Sequence, residues 1–195
     1  MKKEIGNSLT SWMRDQAEFY QDYMDAVNKA EKLSDMPDTE ENPFLFSVAA
    51  SKERAGIIEE GDTEISINYQ ASTLSPPEIS RYFYVSQKEF EHRKILYLAR
   101  TMNVSRAAVK IYLYALEHVQ NKNHDTDTVV MSLQLLSDIT SIKYSSRSLI
   151  YNALFQLVKK GYLAKRSSTA YFVNPEKIYQ LDHLVQKIII LPRQQ

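Results

Sequence analysis

The chain has 195 residues, 44% of them hydrophobic, which allows one ordinary core with appendages, and its lack of cysteine excludes a disulfide framework or a thiolate metal site. No apolar run approaches the length that spans a bilayer, and the N-terminus MKKEIGNSLT lacks a signal-peptide apolar region, so a reducing cytoplasm is the expected setting. Net charge is zero, yet residues 1–99 carry 11 Lys and Arg against 18 Asp and Glu, while residues 100–195 carry 13 against 6.

From Leu9 to Leu33 the large apolar residues Leu9, Trp12, Met13, Tyr20, Tyr23, Met24, Val27 and Ala30 recur mostly at three- and four-residue steps. That spacing predicts a long amphipathic helix, capped by Ser8 or Thr10, within an N-terminal unit of residues 1–33. Its aromatic side suits burial against another helix of this chain or of a second copy. Residues 34–86 read as an acidic linker and a mixed segment. SDMPDTEENP is acidic and proline-punctuated, a linker or exposed loop, and Phe44, Leu45, Phe46 and Val48 follow as an apolar anchor. Ile65, Ile67 and Tyr69 alternate with polar residues as a half-buried strand does, with Gly61-Asp62 as a turn before it. STLSPPE is loop, and YFYV from Tyr82 to Val85 is either a strand or a packed approach to the next helix.

Residues 87–175 carry the clearest signals. Gln87 to Met102 reads as a helix with Phe90, Ile95, Leu98 and Met102 inward, broken at Asn103. Ser105 then caps a second helix to about Gln120, with Val109, Tyr112, Leu113 and Leu116 on one face, and the polar run NKNHDTD follows. Thr128 to Met131 is a short strand. Ser132 caps a helix bearing Leu133, Leu136 and Ile139, and Ser145 or Ser146 caps the next. From Arg147, the residues Ile150, Ala153, Leu154, Leu157 and Val158 trace one buried stripe. Lys159 and Lys160 suit the negative end of that helix, and Gly161 suits a left-handed cap after it. Tyr162 to Lys165 and Tyr171 to Val173 then form a hairpin around a polar turn from Arg166 to Thr169. Strand, helix, turn, helix and hairpin in that order make a winged helix-turn-helix. The fold expected is mainly α with a small β-hairpin wing, a winged helix-turn-helix core with additional N-terminal and C-terminal helices.

LARTMNVSRAAVK, upstream, has the rhythm of a second helix-turn-helix, but no wing follows it. It reads as scaffold, with Arg106 and Lys110 positioned to touch backbone phosphates. In residues 176–195, Glu176 to Leu191 reads as a terminal helix with Asn174 as cap and Pro175 at its first position. Ile178, Leu181, Leu184, Val185, Ile188 and Ile189 make a wide apolar stripe, which either folds back on the N-terminal helix or joins two copies in a homodimer.

The segment from Val129 to Pro175, ending in YFVNP after the hairpin, resembles the RepL-type plasmid replication proteins of firmicutes. RKILYLARTMNVSRAAVKIYLYALEHVQ resembles the helical lead-in of the same family, and the likeness covers roughly residues 90–180. It implies a winged-helix protein that binds DNA at a plasmid origin.

Enzymatic readings find little support. None of the four glycines, Gly6, Gly56, Gly61 and Gly161, lies in a phosphate-cradling motif, and His92, His118, His124 and His183 show no metal-ligand spacing. A rolling-circle nickase needs a histidine pair that is missing, and no serine sits in a nucleophile elbow. The carboxylate pairs Glu40-Glu41 and Glu59-Glu60 fall in polar loops. No catalytic residue, cofactor or metal is expected.

The partner expected is double-stranded DNA. Its basic half is the half that reads as a winged helix, as phosphate neutralisation requires. Ser145, Ser146, Arg147, Ser148 and Tyr151, at the start of the longer helix, are expected on the groove floor, with Asn152 beside them. Arg147 suits a guanine edge and Asn152 an adenine edge. Lys143 and Tyr144 are expected to hold backbone phosphate, and Lys165, Arg166, Ser167, Ser168 and Thr169 on the wing to meet phosphate or the minor groove. The protein would serve as a replication initiator or a transcriptional regulator. The alternative is a winged helix used for protein–protein assembly, with the acidic N-terminal half as the docking surface.

Overall fold

The computed structural model describes residues 2–45, 87–121, 128–174 and 177. Apart from Asn121 and Lys177, the strand expected at Ile65–Tyr69, the YFYV segment, the polar run before Thr128 and the terminal helix with its apolar stripe lie outside the described residues. The described elements are α1 (Lys2–Lys29), a 3-10 turn (Leu33–Asp35), α2 (Gln87–Met102), α3 (Arg106–Asn121), β1 (Thr128–Val130), α4 (Leu133–Thr140), a 3-10 turn (Tyr144–Ser146), α5 (Arg147–Lys159), β2 (Leu163–Lys165) and β3 (Ala170–Val173). This is a helical core with a small wing, in the order the sequence predicts.

The core forms around α3, which is buried on most of its circumference. Ala108, Val109, Ile111, Tyr112, Ala115, Leu116 and Val119 are all inside, packed against α2, α4 and α5. An amphipathic stripe alone does not anticipate this, since Ile111 and Ala108 extend the buried face around the helix. The upstream helix-turn-helix rhythm is therefore interior packing. Ser105 caps α3 as expected, its hydroxyl accepting from the Ala108 amide at 3.3 Å. Asn103 closes α2 in the left-handed region at φ 52°, a conformation asparagine tolerates better than most residues.

On α5 the predicted stripe is buried throughout, from Ile150 to Val158. Gly161 follows at φ 69°, with its amide bonded to the Val158 carbonyl and the Tyr162 amide to the Leu157 carbonyl, the paired bonds of a Schellman cap. A Cβ at this position would meet nothing within 4 Å. Gly161→Ala therefore tests backbone conformation alone, and it is expected to cost about 1–2 kcal/mol, read as a lower urea midpoint at unchanged m.

The chain then turns into a three-stranded antiparallel sheet of order β1-β3-β2. Val129 pairs with Tyr171, and Ala164 with Phe172. Asn174 fastens the far end of the hairpin, its side-chain amide donating to the Gly161 carbonyl at 2.8 Å.

The N-terminal segment departs from expectation in three ways. α1 begins at Lys2 rather than Leu9, so Ser8 and Thr10, expected as caps, lie within the helix. α1 ends at Lys29, four residues before the predicted Leu33, and its last turns pack on the winged core through Tyr23, Val27 and Ala30. The stretch expected as linker or exposed loop is instead a packed strap. Met36, Thr39, Asn42 and Phe44 are buried within it, so Phe44 anchors as predicted while the residues before it are also docked. Its polar side chains stand in for regular hydrogen bonds: Thr39 Oγ1 donates to the Glu41 carbonyl at 2.8 Å, and Asn42 Oδ1 accepts from the Phe44 amide at 2.9 Å. The Thr39 amide donates to the Lys165 carbonyl at 3.0 Å, which engages the outer edge of β2. Composition misled here because short polar side chains that satisfy a docked backbone look the same in sequence as those that face water.

Candidate nucleic-acid interface

The helix-turn-helix is α4, the turn from Ser141 to Ser146, and α5. Side-chain hydrogen bonds shape the turn without glycine. Ser132 Oγ caps the start of α4 by accepting from the Leu135 amide, as predicted. At its end, Ser141 takes the left-handed region at φ 61°, Thr140 Oγ1 accepts from the Ile142 amide, and Ser137 Oγ donates to the Ile142 carbonyl at 2.6 Å. Lys110, expected to reach phosphate, instead donates to the Thr140 carbonyl at 3.4 Å from α3. A cation there satisfies an end of α4 that lacks intrahelical partners.

The entrance to α5 corrects another expectation. Ser146 occupies the N-cap position but makes no side-chain cap bond. The 3-10 turn Tyr144–Ser146, closed by the Ser146 amide on the Lys143 carbonyl at 2.8 Å, runs directly into the helix instead. The residues predicted for the groove floor stand at the surface. Lys143, Tyr144, Ser145, Arg147, Ser148, Tyr151 and Asn152 are exposed, and Ser146 is half-buried. Leu149 is 55% exposed among them, an apolar side chain at the surface that helical spacing alone does not single out.

The sequence holds no carboxylate between Asp138 and Glu176, and six cations. They divide into two groups. Lys143, Arg147, Lys160 and Arg166 are exposed. Arg166 also donates to Thr128 Oγ1 at 3.3 Å and lies over the Phe172 ring at 5.5 Å, which holds its guanidinium at the base of the wing. Lys159 and Lys165 are committed inside the chain. Lys159, expected to serve the end of its own helix, donates instead to the carbonyls of Val27, Asn28 and Ala30 at 3.0, 2.8 and 3.1 Å, so it caps α1. Lys165, expected to meet DNA from the wing, is paired with Asp38 at 2.8 Å, donates to the Met36 carbonyl at 3.4 Å, and has a side chain only 13% exposed. Its amide donates to the Tyr23 hydroxyl, whose pKa burial pushes up to about 12.

The wing turn is built by Ser167, whose Oγ accepts from the Ala170 amide at 3.2 Å and the Thr169 amide at 3.5 Å. Ser168 and Thr169 are left exposed at the tip. Between α5, the wing and the strap lies an open cleft of about 460 Å³. Tyr151 and Asn152 form one wall, Lys165 and Ser168 a second, and Lys32, Leu33 and Ser34 the third.

The class of protein this fold defines is the winged helix-turn-helix. No family model, curated protein or solved structure matches the chain. No helix among the described residues is long and apolar enough to cross a membrane.

Proposed function

We propose that this protein binds double-stranded DNA sequence-specifically, with the start of α5 in the major groove and the wing tip along the backbone. The observation that supports this most is the entrance to α5, where Lys143, Ser145, Arg147, Ser148 and Asn152 are exposed together in a stretch without carboxylates. A helix fits a major groove about 12 Å wide, and residues at its start reach the base edges. Arg147 presents two donors to guanine, Asn152 a donor and an acceptor to adenine, while Lys143, Arg166, Ser168 and Thr169 hold phosphate.

The likeness to RepL-type proteins favours replication initiation at a plasmid origin over transcriptional regulation, and the place of action is the cytoplasm. A homodimer, joined by the apolar stripe read from Ile178 to Ile189, suits a palindromic site. Selection of bound duplexes from a random pool tests the reading. A recurrent site is expected, and its binding should weaken steeply with salt as displaced counterions are released. Recovery of no preferred duplex, with binding to a protein partner through the acidic N-terminal half, would establish the assembly reading in its place.

A further inference from the structure

The strap forms one wall of the cleft that α5 and the wing also line. Besides Lys32 it carries Glu31, Asp35, Asp38, Glu40 and Glu41, all exposed. It is fixed there by the Thr39 amide on the Lys165 carbonyl and by buried Met36 and Phe44. Its cleft-facing lysine, Lys32, is itself near Asp35 at 3.8 Å. Asp38 pairs with Lys165 at 2.8 Å, and that lysine stands beside Ser168 in the wing wall of the cleft.

We propose that the strap is an intramolecular competitor for DNA, in which Asp38 withholds the Lys165 ammonium from phosphate and so lowers affinity for every duplex alike. The inference rests on the duplex-binding reading. A phosphate oxygen and the Asp38 carboxylate present the same chemistry to Lys165, an anionic acceptor at hydrogen-bonding distance. The carboxylate is covalently tethered and already in place, so it holds an advantage in effective concentration over any phosphate. Withholding a wing lysine removes sequence-independent attraction and leaves base reading at the start of α5 untouched, so specific and non-specific complexes weaken by the same factor.

Asp38→Asn keeps the shape and removes the charge. Its side chain is 59% exposed, so the fold is expected to survive, as thermal unfolding will check. Fluorescence anisotropy with a selected and an unrelated duplex, titrated with sodium chloride, gives the readout. Asp38→Asn is expected to tighten both duplexes by the same factor and to steepen the slope of log K against log salt by about 0.9, the share of one further phosphate contact. In a Lys165→Gln background the same substitution should change neither quantity. Glu40→Gln, which removes an equal charge elsewhere on the strap, should leave the slope unaltered. Competition by Asp38 is overturned if Asp38→Asn binds as the parent chain does, or if it tightens binding equally without Lys165, which would be plain repulsion. Either result leaves duplex binding standing. Failure of both the parent and Asp38→Asn to retain any duplex at low salt would instead sink the duplex-binding reading and the competition by Asp38 together.

Discussion

Lys159→Ala is expected to destabilise the protein by about 1.5–3 kcal/mol and to release α1 from the winged core before the rest unfolds. Three carbonyls at the end of α1 converge on one ammonium, at 2.8 to 3.1 Å. The last carbonyls of a helix have no intrahelical donor, and the negative end of the helix dipole adds to the attraction. Removing the ammonium leaves these acceptors at a partly buried junction, where water replaces a charged donor incompletely. Lys160→Ala is the matched control: its side chain is exposed, and a loss within about 0.5 kcal/mol is expected. Urea unfolding gives the size of both effects. Hydrogen exchange locates them, with amides near Tyr23 and Val27 losing protection in Lys159→Ala ahead of those in α3. Equal, small losses in the two variants would mean that apolar contacts alone dock α1.

Arg147→Ala is expected to reduce discrimination between the selected site and its single-base variants by about 1–3 kcal/mol, roughly fivefold to 150-fold at one base pair. The residue opens α5, is exposed, and stands in the stretch without carboxylates, so its guanidinium is available to a guanine edge. Arg166→Ala should behave differently, weakening all duplexes alike and making the salt slope shallower by about 0.9, because a wing cation meets phosphate. Competition binding with a panel of point-substituted duplexes separates the two patterns. An unchanged preference in Arg147→Ala would move the reading surface away from the start of α5.

The elements of the winged unit were largely legible from local pattern. The stripe from Ile150 to Val158, the left-handed cap at Gly161 and the hydroxyl caps at Ser105 and Ser132 each arise from residues within a turn or two of one another. Their geometry is set by the chain's own periodicity, so spacing in sequence reports it directly. The serines before α5 show where such signals fail. A serine at a helix start offers a cap, but a preceding 3-10 turn removes the need for one, and that backbone choice is not encoded in the cap residue itself.

Of the surface predicted for DNA, the sequence by itself determined which residues sit at the entrance to α5, because the buried stripe dictates that the intervening positions face outward. Tertiary structure alone decided which cations remain available there. Lys159 meets carbonyls as much as 132 residues away, and Lys165 meets a carboxylate on a strap that composition presents as a free linker. Charge pairs of this kind depend on how separate segments dock. A lysine carries no periodic signal that distinguishes one held by such a partner from one left in water.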